Sequence, residues 1–133
     1  MKVLFLCYLN SIRSPIAEGL LRKSHPDWEV SSCGLAAGEL DDIMVAVMRE
    51  RGIDMEGHES RTLDEVGKDF DVAVALTGPA GDAARAYFKD TDVEVETWEL
   101  PDPTRSYFDV RSMMNDYRAV RDNLAMRLER RFG

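Results

Sequence analysis

The sequence is poor in the features that announce several common classes of protein. It holds only two cysteines among 133 residues, Cys7 and Cys33, which excludes a disulfide framework as the source of stability. The two histidines, His25 and His58, stand far from both thiols, and no zinc-ligand spacing runs through the four. Neither a metal nor another cofactor is expected. No apolar run approaches the ~18–20 residues that cross a bilayer. The run that begins at Val3 is broken by Asn10 and Arg13 before it reaches the length of a signal peptide. A cytoplasmic protein with no membrane partner is the expectation. Basic residues are also in deficit: 17 Lys+Arg face 25 Asp+Glu, a net charge of −8. Such a surface repels nucleic acid and anionic lipid. A small anionic substrate would need a local cluster of donors that outweighs the overall field.

What is present is a chain of single-domain length, 44% hydrophobic and 32% charged, with no repeat, linker or low-complexity tract. Apolar runs alternate with segments of helical period. Val3–Leu6 reads as a strand, and Pro15–Lys23 as a helix with proline at its first position. Trp28–Ser32 is a second, weaker strand. A helix capped by Asp41 or Asp42 follows, with Ile43/Val47 and Met44/Met48 at i, i+4 and Gly52 beyond its end. Val72–Leu76 is apolar throughout, as a strand buried on both faces requires. Pro79–Phe88 reads as a helix, Val93–Trp98 as an edge strand, and the tail from Phe108 as a long closing helix. The order βαβαβαβα predicts one domain over 1–133. Its form is a four-stranded parallel sheet with helices on both faces, a three-layer, flavodoxin-like α/β fold. Such sheets place their sites in the loops beyond the carboxyl ends of the strands. Those loops begin at Cys7, Cys33, Thr77 and Leu100, so one edge collects two thiols, Arg13 and the aspartate of LPDP.

The stretch CYLNSIR, Cys7 to Arg13, joins the first strand to the first helix. A loop of that length curling into a helix N-terminus can aim several backbone N–H groups at one tetrahedral oxyanion, helped by the helix dipole. Tyr8, Leu9, Asn10, Ser11 and Ile12 would line the cradle. Arg13 would close it with a bidentate fork that lysine could not supply. Cys7 would lie at its floor, where helix dipole and guanidinium both favour the thiolate. Ser14 could donate its hydroxyl to that thiolate, or cap the helix. A thiolate beneath a bound phosphate is poised for in-line attack at phosphorus. The leaving oxygen then needs a proton. Asp102 in WELPDPTRS, stiffened by Pro101 and Pro103, is the candidate general acid.

These residues resemble the low-molecular-weight protein tyrosine phosphatase family and its relatives, the thioredoxin-coupled arsenate reductases. The likeness lies in C-x5-R-S-P from Cys7 to Pro15, AEG at Ala17–Gly19, SSCG where the family has SAG, RGIDMEGHESRTL, FDVAVAL and the late Asp-Pro. It implies Cys7 as nucleophile, Arg13 as phosphate ligand, Ser14 as partner of the thiolate, Asn10 as the residue that holds the loop's shape, and Asp102 as general acid and then base. It also marks departures. Leu9 stands where the family loop has glycine, which would strain the backbone if that position needs an unusual angle. Ile12 replaces a cysteine used for reversible oxidation. Thr104, Arg105 and Ser106 follow Asp-Pro where the phosphatases have tyrosines, with Tyr107 later; Tyr8 could supply one aromatic wall. The two further cysteines of the reductases are absent from ALTGPAGDAA, where Thr77 falls near the place of the first, so their three-cysteine relay cannot run.

Three functions follow as expectations. The first is a cysteine-dependent phosphatase acting on phosphate monoesters, phosphotyrosine proteins among them, through a phosphocysteine. The second is an arsenate reductase whose resolving thiol is Cys33, a small thiol or a thiol reductase. The third is a non-catalytic oxyanion-binding regulatory module. Cys33 itself has two readings, a redox partner of Cys7 or a small buried apolar residue, and the residue type favours the latter.

Overall fold

A computed structural model describes residues 1–105 and 109–133. Tyr107, the later tyrosine after Asp-Pro, and Phe108, the expected start of the closing helix, lie outside the described residues, as does Ser106. The strands are β1 (Lys2–Cys7), β2 (Glu29–Gly34), β3 (Val72–Ala75) and β4 (Glu94–Thr97), and the helices are α1 (Arg13–Ser24), α2 (Asp42–Arg49), α3 (Gly78–Tyr87) and α4 (Val110–Phe132). All strand pairs are parallel, in the order β2-β1-β3-β4. The expected single four-stranded sheet with β4 at an edge is what the chain forms.

Strand alternation divides the core. Val3, Phe5, Val72 and Val74 face α1, α2 and α4, meeting Ile16, Met44, Val47, Tyr117, Val120 and Leu124. Leu4, Leu6, Ala73 and Ala75 face the other way, onto Ala80 and Ala84 of α3. The helices thus form layers on both faces, and β1 and β3 are buried on both, which explains their unbroken apolar character. No described helix is long and apolar enough to cross a membrane.

Several boundaries differ from expectation by a residue or two, and three of them bear on the site or the sheet. α1 begins at Arg13, two residues before Pro15, with no side-chain cap at Ile12; Ser14 lies inside the helix and does not cap it. β2 runs on to Gly34 because Cys33 and Gly34 pair with Leu6 and Cys7 of the long central strand, so Cys33 belongs to a strand and not to the loop beyond it. β4 is shorter than its apolar pattern, and Trp98 falls outside it. Asp41, not Asp42, caps α2, its Oδ1 accepting from Met44 N at 2.9 Å. Its Oδ2 accepts the hydroxyl of Tyr117 at 2.8 Å, which ties α4 to the start of α2.

Candidate active site

The sheet order reverses at β1, so the connections leaving β1 and β3 diverge and open a crevice at their carboxyl ends. Cys7 is the last residue of β1 and lies at that crevice, 3% exposed. A cavity of about 250 Å³ opens above it, lined by Cys7, Tyr8, Leu9, Ser11, Ile12, Arg13, Asp102 and Thr104. Residues 95 positions apart in sequence, Cys7 and Asp102, therefore share one cavity, as the topology implied.

The loop is shaped from behind. Asn10 is fully buried with φ 56°, a left-handed conformation that asparagine tolerates better than most side chains. Its amide spans the loop's supports, donating to Ser14 Oγ and to Ser32 Oγ, each at 2.9 Å. Its Oδ1 accepts from Arg61 N at 3.0 Å, and its main-chain oxygen accepts from Ser60 Oγ at 2.9 Å and lies 2.8 Å from His58 Nε2. Ser32 in turn donates to Glu18 Oε1 at 3.1 Å. Gly34 completes the support by having no side chain: a Cβ there would stand 2.7 Å from Tyr8 O and 2.8 Å from Asn10 N.

In the cradle, Cys7 Sγ and Ser14 Oγ are 2.9 Å apart. Of the two roles open to Ser14, the structure selects the bond to sulfur. Among the described residues no acceptor takes the backbone N–H of Leu9, Ser11 or Ile12, and α1 begins immediately after with the unpaired N–H groups of a first turn. Arg13 is half-buried, and its Nη1 donates to Leu100 O at 3.3 Å, which fastens the guanidinium to the segment that carries Asp102. Asp102 Oδ1 accepts from Thr104 N at 2.9 Å and from Thr104 Oγ1 at 2.6 Å. These bonds hold the carboxyl at the cavity wall.

The side chains of two residues of the expected site stand behind the cavity. Asn10 and Ser14 do not line the cavity; both are fully buried behind it and act on the loop and the sulfur. Leu9 carries no positive φ; the unusual angle falls on Asn10. Tyr8 is 55% exposed and lines the cavity, so it is not a packed loop residue. Cys33 is fully buried among Leu4, Leu6, Ala73, Ala75 and Ala80. Burial, then the neighbouring Cys7 sulfur, push its thiol up to about 12, with Arg61 opposing. Pairing with Leu6, it shares that residue's face of the sheet, the face opposite Phe5. Sequence reasoning missed the supports Glu18, Ser32, His58, Ser60 and Arg61. The segment HESR was visible as a motif, but only the fold brings it against Asn10.

The family model described as low molecular weight phosphotyrosine protein phosphatase matches residues 2–132. An arsenate reductase of Bacillus licheniformis is 32% identical over 130 residues, 96% of this chain and 92% of the relative. Among solved structures, an arsenate reductase in its oxidized state superposes with a TM-score of 0.81 at 28% identity, covering 97% of this chain and 94% of that one. The tyrosine phosphatase amsI of Erwinia amylovora gives 0.79 at 22% identity, covering 97% and 91%, a likeness of fold.

Proposed function

The chain belongs to the low molecular weight phosphotyrosine protein phosphatase family, and from that premise we propose that it hydrolyses phosphate monoesters through a covalent phosphocysteine. The observation that carries this reading is the single cavity in which Cys7, Arg13 and Asp102 meet, with Ser14 bonded to the sulfur. The loop amides and Arg13 hold the three non-bridging oxygens, where charge accumulates in the transition state. The Cys7 thiolate attacks phosphorus as the ester P–O bond breaks, and Asp102 gives its proton to the leaving oxygen. The resulting carboxylate takes a proton from water as water attacks the phosphocysteine. The S–P bond breaks, and inorganic phosphate and the thiolate are restored. Tyr8 at the rim supports aryl phosphates, phosphotyrosine among them, as substrates. Both thiols are free, which fits a reducing, cytoplasmic location.

A second reading is arsenate reduction, favoured by the name of the 32% identical relative. Arsenate would condense with Cys7, and a second thiol would attack the Cys7 sulfur, forming a disulfide and expelling arsenite. Cys33 is fully buried, and that burial keeps its thiol from ionising, so it is poorly suited to that attack and this reading takes an external thiol. The experiment is a panel: aryl phosphate hydrolysis and thiol-dependent arsenate consumption, each with wild type, Cys7→Ser and Asp102→Asn. Hydrolysis lost in Cys7→Ser and greatly reduced in Asp102→Asn supports the first reading. Arsenate consumption without hydrolysis supports the second, and phosphate binding with neither activity leaves a binding module.

A further inference from the structure

Leu9 carries a side chain that the proposed chemistry leaves unused. It is 42% exposed and lines the cavity beside Tyr8. Its backbone angle neither demands nor forbids a side chain, since Asn10 and Asp90 are the non-glycine residues with positive φ among those described. What Leu9 does need is room behind it. A Cβ on Gly38 would stand 3.0 Å from Leu9 Cβ, 3.2 Å from Leu9 O and 2.5 Å from Ser11 Oγ. Gly38 has an ordinary φ, so close approach, not a turn, explains the glycine. A side chain at 38 would thus press on Ser11 first and on the base of Leu9 next. The segment after β2 lies against the base of Leu9, whose exposed side chain lines the cavity.

The cavity consequently has unlike walls. Tyr8, Leu9 and Ile12 bring apolar surface, whereas Ser11, Arg13, Asp102 and Thr104 are polar. In-line attack places the leaving group opposite the Cys7 sulfur, which lies at the floor. An ester's leaving group therefore reaches the mouth, while a free oxyanion stays in the cradle. We propose that Leu9, backed by Gly38, is a specificity-determining residue. With Tyr8 it forms an apolar subsite for a flat, apolar leaving group and selects aryl phosphomonoesters over small polar esters and free oxyanions. The assignment of an ester rests on the hydrolase reading; the apolar subsite does not.

The test compares wild type with Leu9→Ala in two ratios. One is kcat/KM for phenyl phosphate over that for glycerol phosphate. The other, read by calorimetry without turnover, is the affinity for benzylphosphonate over that for inorganic phosphate. Each ratio should fall roughly tenfold in Leu9→Ala, the scale of a truncated apolar contact. Gly38→Ala, by displacing Leu9, should lower both ratios in the wild-type background and less in Leu9→Gly. An unchanged phosphonate ratio, whether both affinities hold or both fall, overturns the proposal. A wild type that hydrolyses neither ester would sink the hydrolase reading instead, and the phosphonate ratio would still decide the role of Leu9.

Discussion

The buried carboxyl of Glu18 accepts the Ser32 hydroxyl at 3.1 Å, at the far end of a chain of hydrogen bonds that leads through Asn10 and Ser14 to the Cys7 sulfur. An amide NH2 only donates, and the bond from Arg61 N to Asn10 Oδ1 fixes which end of the Asn10 amide meets the serines. Ser32 therefore gives its hydrogen to Glu18 and receives one N–H of Asn10, whose second N–H goes to Ser14. Ser14 keeps its own hydrogen for sulfur or for Cys33 O at 3.3 Å. An ionised sulfur wins that competition, being the charged acceptor at shorter range.

The chain of donors gives the first prediction. Ser14→Ala should slow alkylation of Cys7 by iodoacetamide at neutral pH by roughly 10- to 100-fold, the worth of a hydrogen bond to a charged group. Glu18→Gln should give a smaller loss in the same direction, because Glu18 reaches the sulfur only through the positions of Ser32, Asn10 and Ser14. Unchanged alkylation in Ser14→Ala would break the directional account.

Asp102→Asn removes the proton donor while keeping an oxygen for Thr104. Turnover should fall by roughly 10²–10⁴, most for esters with poor leaving groups and least for those that depart unprotonated. A uniform loss across a leaving-group series would make Asp102 a loop anchor only.

Cys33 should be silent in the native protein. A thiol-specific reagent should titrate one thiol in buffer and two in denaturant, and peroxide should yield no Cys7–Cys33 peptide on non-reducing mapping. Because burial raises the Cys33 thiol to about 12, its contribution to stability is complete below the unfolded value near 9 and is lost as pH rises through about 12. Cys33→Ser, which places a hydroxyl among Leu4, Leu6 and Ala75, should cost about 1–3 kcal/mol in denaturant unfolding.

Acid stability should depend on Glu50, which receives Arg118 and Arg121 of α4 at the end of α2. Those bonds depress its carboxyl from 4.5 to about 2. A depressed acid stabilises above its unfolded value and loses that stabilisation as pH falls through the folded one. Melting temperature should therefore fall between about pH 4.5 and pH 2 in wild type, and Glu50→Gln should melt lower at pH 7 with a shallower decline across that window. Parallel profiles would contradict the assignment.

The layers were legible in the sequence because Val3–Leu6 and Val72–Leu76 are apolar at every position, a pattern that fits strands covered on both faces. Cys7, Arg13 and Asp102 were legible for a related reason: strand ends in a parallel sheet share one edge, so residues far apart in the chain could be placed together. The end of β2 was not, since Cys33 and Gly34 are strand residues only because β1 continues beside them. Nor was the role of Asn10, whose partners Ser32, Ser60 and Arg61 arrive from other segments. That the positive φ falls on Asn10 and not on Leu9 was not legible either, because loop shape is fixed by those contacts and not by residue size.

The account rests on Cys7 as the atom that takes up phosphorus. The most direct measurement is acid quench of Asp102→Asn during turnover of an aryl phosphate, followed by peptide mass mapping. A phosphoryl group on the peptide that contains Cys7, absent in Cys7→Ser, is the predicted result. Phosphoryl transfer to another residue, or hydrolysis that persists in Cys7→Ser, would contradict it.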